Sequence, residues 1–328
     1  MPNKPTQISN LEAIRNAIAV EMRLNPDIIV IGEGTGERGG CFAHTKGLFA
    51  EFGAERMLDT PISENGFTGM AIGAAATGLH PIVDLMFADF ILDAMTQLVN
   101  QAAKIHFMSN GQIRVPMVLR ASIGSTAAAA GQHSGVYYPL FMHIPGLKVV
   151  TYSTPADGYG LMRSALREPN PVIFLDHKGL FPVKGDAPAE DLLIPLGKAR
   201  ICQTGTDVTV VAASLMVQYA LEAAAQLADN CAVEVIDMRT LSPLDMETVF
   251  ASVEKTGRLL IVDESFPVCS MASEIAACVA SERLYDLDAP IRRLNTLPIA
   301  HPFSPPLELA TIPRTTQIRT AIEALMKE

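Results

Sequence analysis

The sequence has 328 residues, a formal net charge of -10 and 49% hydrophobic residues, with 6% aromatic residues and no Trp. This length is about twice that of a common domain, so we expect two domains, each long enough to bury its own core. The acidic balance, without any run of Lys or Arg, argues against nucleic acids and anionic membranes as ligands.

Cysteine usage and the start of the chain favour a cytoplasmic protein. The five cysteines are widely scattered, are odd in number and include no CxxC pair, which favours reduced thiols. The first ten residues match neither a secretory signal nor an amphipathic presequence. His, Pro and Asp residues interrupt the longest apolar stretch, at 69–92, so no membrane span is expected.

Strands and helices are expected to alternate along the first half of the chain. Helical spacing of apolar residues over 11–25 precedes a buried strand over 27–32 that ends at a glycine. The later elements predicted in this half are helix 66–77, strand 81–86, helix 90–108, strand 116–120, strand 147–151, helix 156–167 and strand 172–176. Such alternation is typical of a parallel sheet with helices on both faces.

The second half repeats this alternation after a break. Residues 181–191 mix Pro, Gly and acidic residues without periodicity, which indicates a linker. The elements predicted after it are strand 208–213, helix 218–228, strand 232–237, helix 245–255, strand 258–263, helix 270–281 and helix 316–326. We therefore predict an α/β fold of two parallel-sheet domains, at 1–188 and 189–328.

Two acidic residues stand out beside the predicted strands and helices. Glu33 follows the first strand in a Gly-rich loop; a dinucleotide loop is disfavoured because two Glu residues would repel pyrophosphate. Two interpretations of this loop remain. It is a flexible connection after the strand, or it places Glu33 at the mouth of a cofactor cleft. Glu64 opens a Gly- and Ala-rich helix, where an acid commonly offsets the helix dipole. If this helix packs closely on another backbone, the buried acid needs a partner.

Several motifs make a family resemblance specific. They are DTPISENGFTG at 59–69, DLMFADF at 84–90, NQAAK at 100–104, GQHS at 131–134, HIPGLKVV at 143–150, NPVIFLDHK at 170–178 and MRTLSPLD at 238–245. Together they resemble the beta subunit of thiamine-diphosphate-dependent 2-oxo acid dehydrogenases. The second half, with SVEKTGRL at 252–259, is similar to the beta subunit of acetoin dehydrogenase in particular. The resemblance implies a transketolase-like pyrimidine-binding domain followed by a transketolase C-terminal-like domain.

The resemblance also implies roles for individual residues. The family counterpart of Glu64 shares a proton with the aminopyrimidine ring of thiamine diphosphate, which favours the imino tautomer that generates the carbanion. Phe90 matches an aromatic residue that stacks on this ring, and Met86 and Phe87 match its apolar surroundings; plain core packing is the alternative for all three. His133 matches a histidine at the active-site mouth, although the residues that follow it, Gly-Val-Tyr-Tyr at 135–138, depart from the family pattern.

The partners and cofactors are implied in the same way. The chain contains no Gly-Asp-Gly segment, so magnesium and the diphosphate are expected on an alpha subunit, in an alpha-two, beta-two heterotetramer. A lipoyl acyltransferase is the expected next partner. Backbone carbonyls near Ala165, Glu168 and Asn170 are candidates for a structural potassium site.

Acetoin or a related hydroxyketone is the expected substrate, with the acyl unit passed to lipoamide. Residues 122–131 and 133–138 offer small residues, hydroxyls and one histidine, but beyond Arg120 no Arg or Lys to clamp a carboxylate; such a clamp could still come from the alpha subunit. The alternatives are a pyruvate or branched-chain 2-oxo acid dehydrogenase, a transketolase-like half-chain acting on sugar phosphates, and a nonenzymatic binding module.

Overall fold

The computed structural model describes residues 7–126 and 128–328, and the chain divides into two compact units. Unit 1 comprises 7–123 and 140–196; unit 2 comprises Gly124–Pro139 and Gly197–Glu328. The sequence predicts instead one linear boundary, at residue 188. In the structure Gly124–Pro139 groups with the second half instead, where the amides of Ser125 and Ala128 donate to Glu264 and Glu308.

Unit 1 is built on a parallel sheet. Its strands are β1 (Gln7–Ser9), β2 (Ile28–Gly32), β3 (Met57–Asp59), β4 (His80–Phe87), β5 (Val118–Ile123), β6 (Lys148–Val150), β7 (Val172–His177) and β8 (Lys184–Asp186). Six of them form the sheet in the order β6-β7-β5-β4-β2-β3, with all neighbours parallel. The other two, β1 and β8, pair with each other in an antiparallel ladder.

Helices flank this sheet. They are α1 (Asn10–Leu24), α2 (Leu48–Phe52), α3 (Glu64–Ala76), α4 (Ile105–Met108), α5 (Tyr138–Met142), which begins in unit 2, and α6 (Pro155–Leu166), with 3₁₀ helices at Ala88–Ala94 and Lys178–Leu180 and a π-helical turn at Gln97–Ala102. A capping box between Ser9 and Glu12 starts α1. One face of α1, with Ile14, Ile18 and Met22, is buried in the core, where each such side chain contributes about 1.5–3 kcal/mol.

Unit 2 contains a smaller sheet. Its elements are β9 (Arg200–Gln203), β10 (Val208–Ala212), α7 (Leu215–Leu227), β11 (Val233–Asp237), β12 (Thr240–Ser242), α8 (Met246–Thr256), β13 (Leu259–Asp263), α9 (Met271–Glu282), a 3₁₀ helix at Leu284–Asp286, β14 (Arg292–Asn295), α10 (Pro305–Thr311) and α11 (Thr315–Leu325). The strand order is β14-β13-β10-β11-β9. All pairs are parallel except β9 with β11, which is antiparallel.

The α/β fold class is confirmed, and three local expectations change. The strand β9 makes the second sheet mixed rather than purely parallel. The predicted linker contains β8, because its backbone finds a partner in β1. The predicted helix 90–108 is broken into 3₁₀, π and α segments. The buried residues Ala88, Ile91 and Ala94 recur every three positions, which suits a helix of three residues per turn.

Among the described residues, no helix has the length and apolar character that crossing a membrane requires.

Candidate functional site

The carboxyl ends of β2 and β4 meet at the point in the unit 1 sheet where the strand order reverses. In open parallel sheets a crevice forms at such a point and commonly binds ligands. Gly32 ends β2, and a Cβ there would lie 2.5 Å from the carbonyl oxygen of Asp84 on β4, so only glycine fits. Glu33 follows immediately and is half-buried. The close approach of the two strands therefore fixes Glu33 at this crevice.

Glu33 has one buried carboxyl oxygen. Its Oε1 atom is buried and has no hydrogen-bond partner among the described residues. Burial raises the pKa of Glu33, and the nearby charges of Glu64 and Asp84 raise it further. Glu33 and Glu64, both predicted as site residues, are thus close enough to interact. A buried carboxyl with a raised pKa and a free oxygen is suited to hydrogen-bond a ligand.

Glu64 is the first residue of α3. The preceding Ser63 gives no side-chain cap to this helix, so its first amide groups lack that usual partner. Glu64 itself is half-buried. The structure therefore confirms that Glu64 lies in the first turn of this helix. The catalytic role of Glu64 stays a prediction.

The three apolar site candidates lie together at the end of β4 and just after it. Met86, Phe87 and Phe90 are each half-buried, and the rings of Phe87 and Phe90 meet edge-to-face with centroids 6.0 Å apart. Phe42 packs against Phe87 at 5.2 Å, and the ammonium of Lys178 lies 5.4 Å from the Phe87 ring centroid. These rings form an apolar wall beside the acids, which suits a flat heteroaromatic ligand.

Met86 has an unfavourable backbone conformation that its neighbours hold in place. Its φ angle is +54°, a left-handed value that is rare for a side chain of this kind. The Met86 amide donates to Asp84 Oδ1 at 2.9 Å, and Arg120 Nη1 donates to Asp84 Oδ2 at 2.7 Å. Asp84 therefore fixes the backbone at Met86, which positions Phe87 and Phe90. Arg120 fixes the side chain of Asp84.

Arg120 lies at the centre of a buried ion-pair network. It is 1% exposed and also pairs with Asp176 and His44, which are fully buried themselves. Burial raises the pKa of Asp176 to about 6, against the opposing effect of the Arg120 charge. Burial, and then the Arg120 charge, lowers the pKa of His44 well below its usual value, so this imidazole is neutral. Because all its charge is balanced inside the protein, Arg120 is not available to a substrate carboxylate.

His133 lies in unit 2, on the segment Gly124–Pro139, and is half-buried. Unit 2 has a cavity of about 430 Å³ whose lining includes Gly131 and Tyr137 from the same segment. His301, stacked on Phe266 with ring centroids 5.8 Å apart, forms part of the same lining. The segment that carries His133 therefore borders a space of small-molecule size.

The potassium candidates lie together at the end of α6. The carbonyl of Ala165 accepts the Glu168 amide at 3.2 Å, and the Glu168 carboxylate pairs with Lys148 at 2.6 Å and accepts the Asn170 side chain at 2.9 Å. The carboxylate is thus already paired within the chain, and the potassium site stays a prediction. In 7–126 and 128–328, no cluster of three or more His, Cys, Asp or Glu residues is placed to hold a metal.

Comparisons with known proteins identify the family. Residues 6–184 match the model of the transketolase pyrimidine binding domain, and residues 197–318 match that of the transketolase C-terminal domain. The chain is 47% identical over 326 residues to the beta subunit of acetoin:2,6-dichlorophenolindophenol oxidoreductase from Cupriavidus necator, with 96% of each chain covered. It is 45% identical over 316 residues to the pyruvate dehydrogenase E1 component subunit beta from Rhizobium meliloti, covering 96% of this chain and 69% of that protein. The chain belongs to the E1 beta subunits of the 2-oxo acid dehydrogenase family.

The fold of this E1 beta subunit also matches a solved structure. A protein described as a split gene transketolase, an inactive beta4 tetramer, superposes with a TM-score of 0.79 at 22% identity, covering 98% of both chains. The resemblance drawn from the motifs is therefore confirmed at the level of family and fold. Because relatives of nearly equal identity carry acetoin and pyruvate in their names, the family leaves the substrate of this E1 beta subunit open.

The sequence prediction missed several residues around the crevice of this E1 beta subunit. Phe42 and His44 lie in a loop without periodicity, so no local pattern marks them. Asp84 and Asp176 stand inside or at the end of apolar strands, and an acid in a buried strand is a signal that was available. Both occur in the motifs that carry the resemblance, but only the structure shows that one arginine joins them.

Proposed function

We propose that this chain supplies the pyrimidine-binding half of a thiamine diphosphate site in a two-chain enzyme. The observation that carries this proposal is the crevice at the ends of β2 and β4, where Glu33 has a buried oxygen without a partner beside Glu64. An aminopyrimidine ring offers an amino group that donates to a carboxylate, ring nitrogens that accept from a protonated carboxyl group, and a flat face for Phe90. The residues present therefore fit this part of the cofactor.

The chain's own residues have distinct proposed roles. Glu64 holds a proton at a ring nitrogen of the aminopyrimidine, Glu33 hydrogen-bonds near the same ring, and Phe90 stacks on it, with Met86 and Phe87 excluding water. His133 donates or accepts a proton at the substrate oxygen. When bound, thiamine diphosphate supplies the carbanion nucleophile that attacks a carbonyl carbon. The proposed reaction would cleave the adjacent carbon–carbon bond of acetoin, release acetaldehyde and pass the acetyl unit to the disulfide form of lipoamide on a lipoyl acyltransferase, which would be reduced in the transfer.

An alpha subunit is proposed to bind magnesium and the diphosphate, in an alpha-two, beta-two heterotetramer. The exposed side of α3 supports a second chain here. Met70 is 52% exposed, Ile62 just before the helix is 82% exposed, and nothing lies within 4 Å of a Cβ placed on Gly73. At Gly73 the close packing that the small residues of α3 predict is therefore not made by the described residues, and an apolar surface is left for a partner.

This division of the site leads to a prediction for the isolated chain. We expect isothermal calorimetry to show no thiamine diphosphate binding in the micromolar range with magnesium present, because the chain holds only one end of the ligand. Adding the alpha subunit should restore micromolar, magnesium-dependent binding. Micromolar binding by the isolated chain would contradict the two-chain proposal.

We propose acetoin, or a close hydroxyketone, as the substrate. The supporting observation concerns Arg120. In the sequence this basic residue comes just before 122–138, so it is the candidate to bind a substrate carboxylate. It is 1% exposed and is already paired with Asp84 and Asp176. Apart from Lys178, whose ammonium lies 5.4 Å from the Phe87 ring centroid, a cation that recognises a 2-oxo acid would come from the alpha subunit, whereas a neutral hydroxyketone needs only hydrogen-bonding groups.

A substrate panel tests this proposal. With the reconstituted enzyme and an artificial electron acceptor, kcat/KM for acetoin should exceed that for pyruvate and for 3-methyl-2-oxobutanoate by at least about tenfold. A sugar phosphate in place of acetoin should give no turnover. Turnover of the sugar phosphate would instead favour the transketolase-like alternative. A higher kcat/KM for either 2-oxo acid would show that the alpha subunit supplies the carboxylate clamp.

A further inference from the structure

The segment that carries His133 has a backbone that its own sequence does not favour. Within Gly124–Pro139 the φ angles of Gly124, Ala128 and Ala130 are +100°, +54° and +59°. Left-handed backbone is unfavourable for alanine because its Cβ crowds the following carbonyl oxygen. None of the described residues of the segment lies in a strand, and among them only those at the start of α5 are helical. Contacts from elsewhere in unit 2 must therefore hold its shape.

Two buried carboxylates hold the first half of this segment. The amide of Ser125 donates to Glu264 Oε1 at 2.9 Å, and the amide of Ala128 donates to Glu308 Oε2 at 3.0 Å. Glu264 lies directly after β13 and is 4% exposed, while Glu308 lies in α10 and is 2% exposed. Hydrogen bonds from amides to carboxylates are about twice as strong as those between neutral groups.

A third carboxylate holds the far end of the segment. The hydroxyl of Tyr138 donates to Asp263 Oδ1, and Asp263 also accepts the amides of Ser265 at 2.8 Å and of Ala272 at 3.0 Å. Burial, and then the charge of Asp263, raises the pKa of Tyr138 well above its usual value, so this hydroxyl keeps its proton and stays a donor. His133 therefore lies between anchors on both sides.

The carboxylate of Glu308 is only partly satisfied by hydrogen bonds from the described residues. Its Oε1 atom is buried without a hydrogen-bond partner, and among the described residues it forms no ion pair with a basic side chain. Burying a carboxylate in this way carries a large desolvation cost. Among the described residues, the hydrogen bond that its carboxylate accepts comes from Ala128, so holding the segment of His133 is the function that the geometry gives it.

We infer that Glu264 and Glu308 are positioning residues for His133, which fix the segment Gly124–Pro139 so that the imidazole is held in one place for the substrate. This inference rests on the proposed function, in which His133 meets the substrate oxygen. Misplacing a reacting group by about 1 Å lowers a rate by about a hundredfold. Loss of either anchor is therefore expected to reduce turnover without weakening cofactor binding.

The test uses Glu308→Ala and Glu308→Gln in the reconstituted two-chain enzyme. In Glu308→Ala, hydrogen exchange of the amides in 124–139 should accelerate at least about tenfold, and kcat should fall between about tenfold and a hundredfold, with thiamine diphosphate affinity unchanged. In Glu308→Gln most of both losses should be recovered, because the amide oxygen still accepts from Ala128. Glu264→Gln should behave in the same way as Glu308→Gln.

Glu234→Gln is the matched control. Glu234 is 1% exposed in the same unit, but it bonds to Ser252 and Lys255 rather than to the segment. This variant should lower the unfolding temperature while leaving kcat and the exchange of 124–139 unchanged.

Three results would overturn the inference. The first is that hydrogen exchange of 124–139 is unchanged in Glu308→Ala. The second is that Glu308→Ala lowers the unfolding temperature but leaves kcat unchanged, as expected for Glu234→Gln. The third is that His133→Ala has wild-type turnover. Failure of the proposed function looks different, because the wild-type enzyme would then lack thiamine-dependent turnover. The exchange measurement would still decide whether Glu308 anchors the segment.

Discussion

Replacing Glu64 with Gln is expected to reduce kcat of the reconstituted enzyme by about a thousandfold, which lies within the range for loss of a general acid–base group. Gln keeps the size of the side chain but removes the proton that the carboxyl group is proposed to share with the ring nitrogen. Glu64 is half-buried at the first position of α3, after an N-cap residue, Ser63, whose side chain makes no capping hydrogen bond. Folding and assembly should therefore stay close to wild type, as measured by the unfolding temperature and by gel filtration.

Glu55→Gln provides the control for this experiment. Glu55 is an exposed acid of the same unit, away from the crevice, and its variant should keep full turnover. Turnover of Glu64→Gln within about threefold of wild type would return Glu64 to the role of an acid that merely offsets the helix dipole.

Replacing Arg120 with Met is expected to destabilise unit 1 by about 3–5 kcal/mol, the usual effect of leaving a buried charge without its partner. Arg120 is 1% exposed and balances both Asp84 and Asp176, so two buried carboxylates lose their counter-charge. The free energy of unfolding from urea titration measures this loss. Cofactor binding to the two-chain enzyme should weaken as well, since Asp84 no longer holds the turn at Met86.

Two further variants test the cause. Arg23→Met removes an exposed arginine that pairs with Glu51, so it should cost at most about 1 kcal/mol. Adding Asp84→Asn and Asp176→Asn to Arg120→Met should recover part of the lost stability, because neutral amides are less costly to bury than carboxylates. An Arg120→Met variant as stable as Arg23→Met would show that the network is not holding the unit together.

The regular elements could be predicted because their signals are local. The apolar run of β2, the alternation with helices and the acid at the start of α3 are all visible within short windows of sequence. The family motifs add the residues around Glu64, Met86 and Phe90. The structure places Glu33 near Glu64 and Asp84 because parallel strands bring their carboxyl ends to one edge of the sheet.

The sequence by itself determined the fold class, most strands and helices, and the family, because periodicity and motifs are properties of neighbouring residues. The tertiary structure decided what depends on pairs distant in the chain. It paired β1 with β8, although 174 residues separate them. It enclosed Arg120 between Asp84 and Asp176, and it fixed the segment of His133 with acids from β13 and α10. A buried charge selects whichever partner the packed fold brings within reach, and no local pattern records that choice.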